Sequence, residues 1–329
     1  MFLLLKHFKF LPIIFITAPL DLYHTEFAWY YPQRWTQKGD QENNKINFES
    51  NARMGKGITK ATHMGAYEES QYLSNLREPV VLSAIQALQL PPGTRGLDVG
   101  CGIGSHTLLL AEAVMPAGHV TGLDLSPEQL AYAREAAKES ELSKNVSFRE
   151  GDMKDLPFDD DTYDWVWSMD CVGYAPVEAL PLIRELVRVV KPGGKVAILA
   201  WSSQQLLPGY PALEACLNAT SAGIAPFVKG KNPEKHFLRA LGWFRDAGLE
   251  ALTAQTFVGA VHAPLSDDVR AELLSLFRMR WPGMQSELTQ DDWAEFQRLC
   301  QAESPDFILN LPDYFAFFTY SLFSGTIPI

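Results

Sequence analysis

The amino-acid sequence predicts an α/β fold: a seven-stranded, mostly parallel sheet with helices on both faces and a helical insertion late in the chain. From about residue 68, short apolar runs alternate with amphipathic segments. This alternation is typical of parallel sheets, because each crossover helix packs back onto the sheet. After residue 205 the alternation breaks, and two further amphipathic segments precede a closing aromatic run. That break predicts the insertion.

Seven segments have the pattern expected of strands. The first five are short and largely apolar, which favours burial on both faces of a sheet. The last, "DYFAFFTYSLFSGTI", is rich in aromatic residues that favour strands, and it needs no crossover helix. The predicted strands span 95–100, 119–125, 146–151, 163–169, 195–202, 251–261 and 313–327.

Segments with helical periodicity separate these strands. The first ends at the Pro-Pro-Gly of residues 91–93, and the third opens on Ser126 with Pro127 next and Gln129 three positions on, the pattern of a helix N-cap. "KPGG", residues 191–194, is predicted to be a turn before the fifth strand. The predicted helices span 68–90, 105–114, 126–140, 176–190, 234–250, 266–281 and 289–301.

These elements divide the chain into three parts. Residues 1–64 are an N-terminal extension, 65–204 hold a Rossmann-like core, and 205–329 complete the sheet. The last part contains the insertion at 264–312, which we expect to form a cap or lid over a binding site.

The extension is apolar over its first twenty residues, and residues 35–63 are polar without periodicity, as in disordered segments. Three interpretations stay open: a signal peptide or membrane anchor through residues 1–20, an ordered extra helix, or a stretch upstream of a translation start at Met54 or Met64. We expect a cytoplasmic protein, with membrane association only in the first case.

Composition narrows the classes of partner. The net charge of −11 and the pI near 5.1 disfavour nucleic acid, because phosphate binding needs a basic face. The four cysteines are scattered without metal-ligand spacing, so we expect reduced thiols and no metal site. The histidines have no such spacing either, and we expect ordinary surface or loop positions for His106, His119, His236 and His262.

The stretch "GLDVGCGIGSHT", residues 96–107, forms the turn between the first strand and the next helix. Gly100, Gly102 and Gly104 allow the backbone to approach a ligand closely, and the following helix directs free N–H groups at it. A dinucleotide fingerprint G-x-G-x-x-G would need glycine at the position of Ser105. The spacing therefore disfavours a nicotinamide cofactor.

Acidic residues at three strand ends indicate a different ligand. Asp98 precedes the glycines, where a negative charge would repel a pyrophosphate but attract a cationic amino group. Asp124 ends the second strand, where a carboxylate can accept from both hydroxyls of a ribose. Asp152 follows the third strand and can accept from an adenine amine, with Met153 packed on the ring. Ammonium, ribose and adenine together describe S-adenosylmethionine.

Four motifs, "LDVGCGIG", "VTGLDLS", "EGDMKDLPFDDDTYDWVWS" and "LVRVVKPGGKVAI", occur in order within residues 95–202. In them the chain resembles the class I S-adenosylmethionine-dependent methyltransferases, in particular the small-molecule group with ubiquinone/menaquinone C-methyltransferases and sarcosine-type N-methyltransferases. The resemblance implies a cofactor-binding core at 65–204 and direct in-line methyl transfer to an oxygen, nitrogen or carbon atom of a small acceptor. It assigns to the cofactor Asp98, Gly100, Cys101, Gly102, Gly104, Asp124, Leu125, Asp152, Met153 and Ser168, with Cys101 as a space-filling residue.

The chain departs from this family beyond the fourth strand. Many relatives have a histidine near the position of Tyr174, and its absence removes the obvious general base. Asp170 and Tyr174 remain candidates for orienting the acceptor or taking a proton. We expect the acceptor pocket near "SMDCVGYAP", walled by the first helix and the late insertion. The aromatic residues of the last strand either line that pocket or pack on flanking helices.

Two alternatives stay open. An arsenite methyltransferase would use Cys171 and Cys216, which occupy positions similar to two of that family's metalloid-binding cysteines. A catalytically silent cofactor-binding module would keep the strand-end acids without turnover.

Overall fold

The computed structural model describes residues 74–172, 178–220, 223, 234 and 236–329. The three interpretations of the N-terminal extension, the first residues of the predicted helix at 68–90, and the candidate Tyr174 lie outside the described residues. Within the described part, no helix is both long enough and apolar enough to cross a bilayer.

Seven strands form one sheet in the order β3-β2-β1-β4-β5-β7-β6. The first five pair in parallel, and β7 runs antiparallel to both β5 and β6. The predicted seven-stranded, mostly parallel sheet is confirmed. The strands are β1 (Arg95–Val99), β2 (His119–Asp124), β3 (Val146–Glu150), β4 (Tyr163–Met169), β5 (Val190–Gln205), β6 (Glu250–His262) and β7 (Phe315–Thr326).

Helices connect the parallel strands and form the late insertion. Ser126 caps the third helix, because its side chain accepts a hydrogen bond from Gln129 N, as its sequence position predicts. Two helices lie between β6 and β7, where the insertion is expected. The α-helices in the described residues are α1 (Ser74–Leu88), α2 (Ser105–Ala113), α3 (Pro127–Glu139), α4 (Ala179–Arg188), α5 (Pro211–Ala219), α6 (Ala240–Asp246), α7 (Asp267–Arg280) and α8 (Gln290–Cys300).

The central strands of the sheet are buried on both faces. Alternate residues of β4 belong to different apolar clusters: Trp165 and Trp167 pack with α1 and α7, whereas Val166 packs with α4 and α6. Such double burial explains why the parallel strands read as nearly continuous apolar runs. Gly96 of β1 lies under the indole of Trp165, so closely that a Cβ at Gly96 would stand 2.0 Å from the ring.

The start of β5 corrects one expectation. The segment "KPGG" is not a turn outside the sheet, because pairing with β4 already begins at Val190, opposite Tyr163. The next pair joins Lys195 to Trp165, so residues 191–194 form an irregularity inside the strand. Gly193, with φ +79°, supplies the left-handed conformation there.

The aromatic run of β7 mainly packs inside the molecule. Tyr314, Phe318 and Tyr320 are buried, while Phe315 is 52% exposed. Phe318 stacks on Trp201 of β5 with ring centroids 4.8 Å apart. Of the two interpretations of this run, packing on neighbouring elements therefore accounts for its buried members.

Candidate functional site

The glycine-rich loop lies at the carboxyl end of β1, held against the end of β2. Gly100 N and Cys101 N both donate to the carbonyl oxygen of Leu123, at 2.8 and 3.0 Å. Gly100, Gly102 and Gly104 have φ of +78°, +54° and +81°. These left-handed conformations favour glycine, and they turn the chain into α2 within four residues.

Gly104 is closely packed beneath the loop. It is the N-cap of α2, and a Cβ there would stand 2.9 Å from Ala133 Cβ and from the ring of Phe148. The loop therefore rests directly on α3 and β3, and a side chain would lift it off them.

We expect Gly104→Ala to destabilise the protein more than Gly209→Ala. Both glycines have positive φ, +81° and +88°, so alanine adds comparable backbone strain, about 1–2 kcal/mol, at either position. Only Gly104 adds overpacking, about 1–3 kcal/mol, because nothing lies within 4 Å of a Cβ at Gly209. Denaturant unfolding of both variants measures the difference, and equal losses would contradict the packing seen here.

Asp124 connects the loop to the start of α3. Its Oδ2 accepts from Gly102 N at 2.8 Å, and its Oδ1 accepts from Ser126 N at 2.9 Å. An ionised carboxylate has about four acceptor positions, so two remain, one on each oxygen. The arrangement leaves Asp124 able to accept from a pair of neighbouring hydroxyls without giving up either backbone bond.

Leu125 follows Asp124 and is 67% exposed. An apolar side chain held in the open between two hydrogen-bonded residues is well placed to cover one face of a flat ring. The structure thus puts an exposed apolar side chain next to the Asp124 carboxylate, and the roles of both at the cofactor stay predictions.

Asp98 is buried beneath the loop, with 2% exposure, and accepts from Thr107 Oγ1 at 2.7 Å. Burial raises its pKa to about 7; the bond from Thr107 lowers the pKa and the charge of Asp124 raises it again. A carboxylate with a raised pKa gains strongly from a cationic partner, because pairing removes the cost of a buried charge.

Three strand-end carboxylates surround one thiol at the loop. Cys171 Sγ lies 3.8 Å from the carbonyl oxygen of Gly100. Burial raises the pKa of Cys171 to about 12, and the negative charges of Asp170, Asp124 and Asp98 raise it as well. The ends of β1, β2 and β4 therefore bring three carboxylates near enough to the glycine-rich loop to act on this thiol, and Arg77 balances one of them by pairing with Asp170.

The remaining predicted cofactor residues flank this region. Met153 reaches the loop, because its Cε lies 4.0 Å from the position that a Cβ would occupy at residue 100. Asp152 lies in a turn after β3, and its Oδ1 accepts from Lys154 N at 2.9 Å. Ser168 is buried in β4, where its hydroxyl donates to Val99 O at 2.9 Å. Asp152 and Ser168 thus have structural bonds, and their roles at the cofactor stay predictions.

Cys101 is buried, and its Sγ lies directly against Gly122. A Cβ added at residue 122 would stand only 2.9 Å from this sulfur. The thiol fills the space above a glycine of β2. Burial and the charges of Asp98 and Asp124 raise its pKa, so it stays protonated. These surroundings support its interpretation as a space-filling residue.

Asp170 is the centre of a polar cluster that the sequence did not predict. Its Oδ1 accepts from Trp201 N at 2.9 Å, its Oδ2 accepts from Tyr320 Oη at 3.0 Å, and Arg77 of α1 pairs with it at 3.9 Å. Its φ of +50° gives a sharp turn at the end of β4. A carboxylate bonded on three sides is a poor proton acceptor, so Asp170 is better suited to positioning the surrounding elements.

His106 corrects the expectation of an ordinary surface or loop position. It lies in the first turn of α2, half-buried. Burial, and to a smaller extent the positive charge of Arg77, lower its pKa to about 3. The ring is therefore neutral at physiological pH and a weak base.

Some neighbours of the site have no sequence pattern that marks them. Thr107 is the hydrogen-bond partner of Asp98, and Arg77 and Tyr320 are partners of Asp170. Gln129 Oε1 lies 2.9 Å from the position that a Cβ would occupy at residue 102. The Gln129 side chain thus points to the loop and not back to the helix cap. Only Gln129 had a detectable signal, its place in the N-cap pattern.

The two cysteines of the arsenite alternative have different surroundings. Cys171 lies at the glycine-rich loop, whereas Cys216 is exposed on α5. Partial loss of hydration still raises the pKa of the exposed Cys216 thiol, and so does the charge of Asp292 at the start of α8. No hydrogen bond joins the two thiols, and both belong to the part of the chain that the structure describes.

Comparisons with known proteins concern this same region. A family model described as a methyltransferase domain matches residues 97–194. A demethylmenaquinone methyltransferase of Listeria welshimeri is 37% identical over 166 residues, 50% of this chain and 67% of that protein. A chloroplastic tocopherol O-methyltransferase of Arabidopsis thaliana is 38% identical over 118 residues, 36% of this chain and 33% of that protein. A solved SAM-dependent methyltransferase of Aquifex aeolicus aligns with a TM-score of 0.41 at 24% identity, covering 55% of this chain and 88% of that one.

Proposed function

The chain belongs to the class I S-adenosylmethionine-dependent methyltransferases, and from that premise we propose that it methylates an oxygen, nitrogen or carbon atom of a small molecule by direct in-line transfer. The observation that carries the proposal is a loop of left-handed glycines with the Asp124 carboxylate bonded to Gly102 N and the Asp98 carboxylate buried at its base. When bound, S-adenosylmethionine supplies an electrophilic methyl group on a sulfonium.

The residues of the strand ends fit this cofactor by charge. Its sulfonium and ammonium are both cationic, and the carboxylates of Asp98 and Asp124 at the loop favour them. A pyrophosphate would be repelled by the same carboxylates. A Cβ added at residue 100 would stand 2.2 Å from the Cys171 thiol and 4.0 Å from Met153 Cε. The backbone at Gly100 therefore leaves no room for a side chain.

Each residue of the site has a separate task in the proposal. Asp124 holds the ribose hydroxyls with its two remaining acceptor positions, and Leu125 covers the adenine ring. Asp98 pairs with the ammonium. Asp152 and Met153 contribute at the adenine, and the backbone of residues 100–104 and of Ser168 contacts the methionine part.

The chemistry asked of the protein is mainly orientation. A methyl acceptor must lie in line with the breaking bond, and such placement alone can contribute several kcal/mol. Asp170 serves this as a positioning residue, because it fixes Trp201 of β5 and Tyr320 of β7 relative to the end of β4. Neither Asp170 nor His106 is proposed as a strong base. The acceptors best suited to the site therefore need little proton removal before attack.

Transfer of a labelled methyl group tests the proposal. Full-length protein with methyl-labelled S-adenosylmethionine is incubated with quinols, phenols, amines and arsenite, and the label is followed into product. We expect label in an organic product of one of the first three classes. Label in a methylated arsenical only, dependent on Cys171 and Cys216, would favour the arsenite alternative. Absence of label from every product would favour the silent cofactor-binding module.

A further inference from the structure

The two edges of the sheet differ in how they are protected against pairing with another chain. One edge is β3, which has only five residues and carries Arg149 and Glu150. The other edge is β6, which has thirteen residues. Natural edge strands are commonly short, charged or interrupted by proline, because an unpaired strand edge is a template for a strand of another molecule. The edge at β3 has this protection.

The edge at β6 lacks it over most of the strand. Residues 251–261 contain no charged residue and no proline. Pairing with β7 is irregular only between Glu250 and Thr253, where Ala251 has φ +48°. From Thr253 to His262 each residue of β6 faces one residue of β7, so the strand is regular there. Among the described residues no strand lies beyond β6, and its outer edge is open to a further strand.

An apolar patch adjoins this edge on one face of the sheet. Ala260 of β6 lies opposite Phe317 of β7, and opposite residues of an antiparallel pair share a face. Val258 and Phe315, two positions away in their strands, lie on the same face, and they are 64% and 52% exposed. The rings of Phe315 and Phe317 have centroids 6.4 Å apart. Adjoining exposed apolar side chains of this kind favour an interaction surface.

The distribution of charge favours a second copy of the chain as the partner. The sequence has 39 acidic and 28 basic residues, a net charge of −11, so two copies repel each other over most of their surfaces. Residues 251–261 are a stretch where two copies meet without opposing like charges. A charged partner segment would find no opposite charge there, whereas the same uncharged edge leaves no charge unpaired.

The length of the edge is sufficient for a stable contact. In an antiparallel pair, alternate residues exchange both N–H···O bonds with the facing strand. The ten residues from Thr253 to His262 would therefore form about ten hydrogen bonds with the same stretch of a second copy, as many as a typical protein interface has. This pairing uses β6 of both copies, and the edges that remain are the short, charged β3 strands. Association therefore stops at two copies.

We propose that β6 of two copies pairs antiparallel about a two-fold axis, so that one continuous sheet runs through a symmetric dimer. The apolar patch of Val258, Ala260, Phe315 and Phe317 extends the uncharged surface beside the paired edge. The dimer is independent of the proposed function, because no residue of β6 is assigned to the cofactor.

Sedimentation velocity of the full-length protein over about 1–100 μM tests the dimer, since this range covers dissociation constants of a standard interface. We expect twice the mass of one chain at the upper concentrations. Val258→Lys should keep the mass of one chain throughout, because pairing would strip water from the new charge. Gln255→Lys makes the same change of charge on the other face of β6 and should act alike. Ala136→Lys, at an exposed position of α3, is the matched control and should dimerise like the wild type.

Circular dichroism of each variant verifies that it is folded. A wild type with the mass of one chain at every concentration would overturn the proposal. A dimer that persists in folded Val258→Lys and Gln255→Lys would place the contact elsewhere and overturn it as well. Wild-type species larger than two chains would contradict a closed pairing of β6. The wild-type masses stay decisive even if a lysine variant folds poorly.

Discussion

Replacing Asp124 by alanine is expected to weaken the binding of S-adenosylhomocysteine by at least about 100-fold. Two charge-assisted bonds to the ribose would be lost, each worth about 1.5–3 kcal/mol. The bonds from Gly102 N and Ser126 N would be lost as well, which loosens the loop. Isothermal titration calorimetry at fixed pH and salt measures the change.

Glu150→Ala is the matched control for this experiment. Glu150 is an exposed acid on β3, directly opposite Asp124 in the sheet, with the same charge. Its removal should change affinity less than threefold. Asp124→Asn, which keeps one carbonyl oxygen, should give an intermediate loss. Unchanged affinity in Asp124→Ala would show that the ribose lies elsewhere.

The second large effect concerns Asp98 and pH. The pKa of Asp98 is about 7 in the protein without ligand, so the carboxyl becomes increasingly neutral below pH 7 and cannot pair with an ammonium. Affinity for S-adenosylhomocysteine should therefore fall as pH drops from 7 to 5, by up to about tenfold per unit. It should fall again at alkaline pH, where the ligand's own amino group loses its proton.

Asp98→Asn should bind about 30-fold more weakly at pH 7.5, since a charged partner becomes a neutral one. The affinity of this variant for S-adenosylhomocysteine should also no longer fall between pH 7 and 5, because asparagine does not titrate. Asp155→Asn, an exposed acid in the turn after β3, should keep the wild-type profile. An acid-side decline that persists in Asp98→Asn would assign the titration to another group.

The sheet could be predicted because its pattern is local. Each buried strand is a short apolar run, and each crossover is an amphipathic segment. The start of β5 was missed because pairing at Val190 depends on β4, and the residues 191–194 look like a turn in isolation. The two helices of the insertion were predicted for the same local reason, and their role as a cap or lid stays a prediction.

The loop and the positions of Asp98, Asp124 and Asp152 could be predicted because all lie in or next to the last residues of successive strands, while their roles at the cofactor stay predictions. The partners of Asp170 could not be predicted, because Tyr320 lies 150 positions away and no local pattern marks the pair. The burial of Gln204 on one face of the sheet was not predicted, for another reason. A single extra residue at Ser202 decides which face it occupies, and that choice is made by pairing with β7.

The central claim is that the glycine-rich loop and its carboxylates form an S-adenosylmethionine site and not a dinucleotide site. Calorimetric titration of the full-length wild-type protein with S-adenosylhomocysteine and, separately, with NADH tests it most directly. We expect saturable binding of S-adenosylhomocysteine and no heat with NADH. Tight binding of NADH with no heat from S-adenosylhomocysteine would contradict the claim.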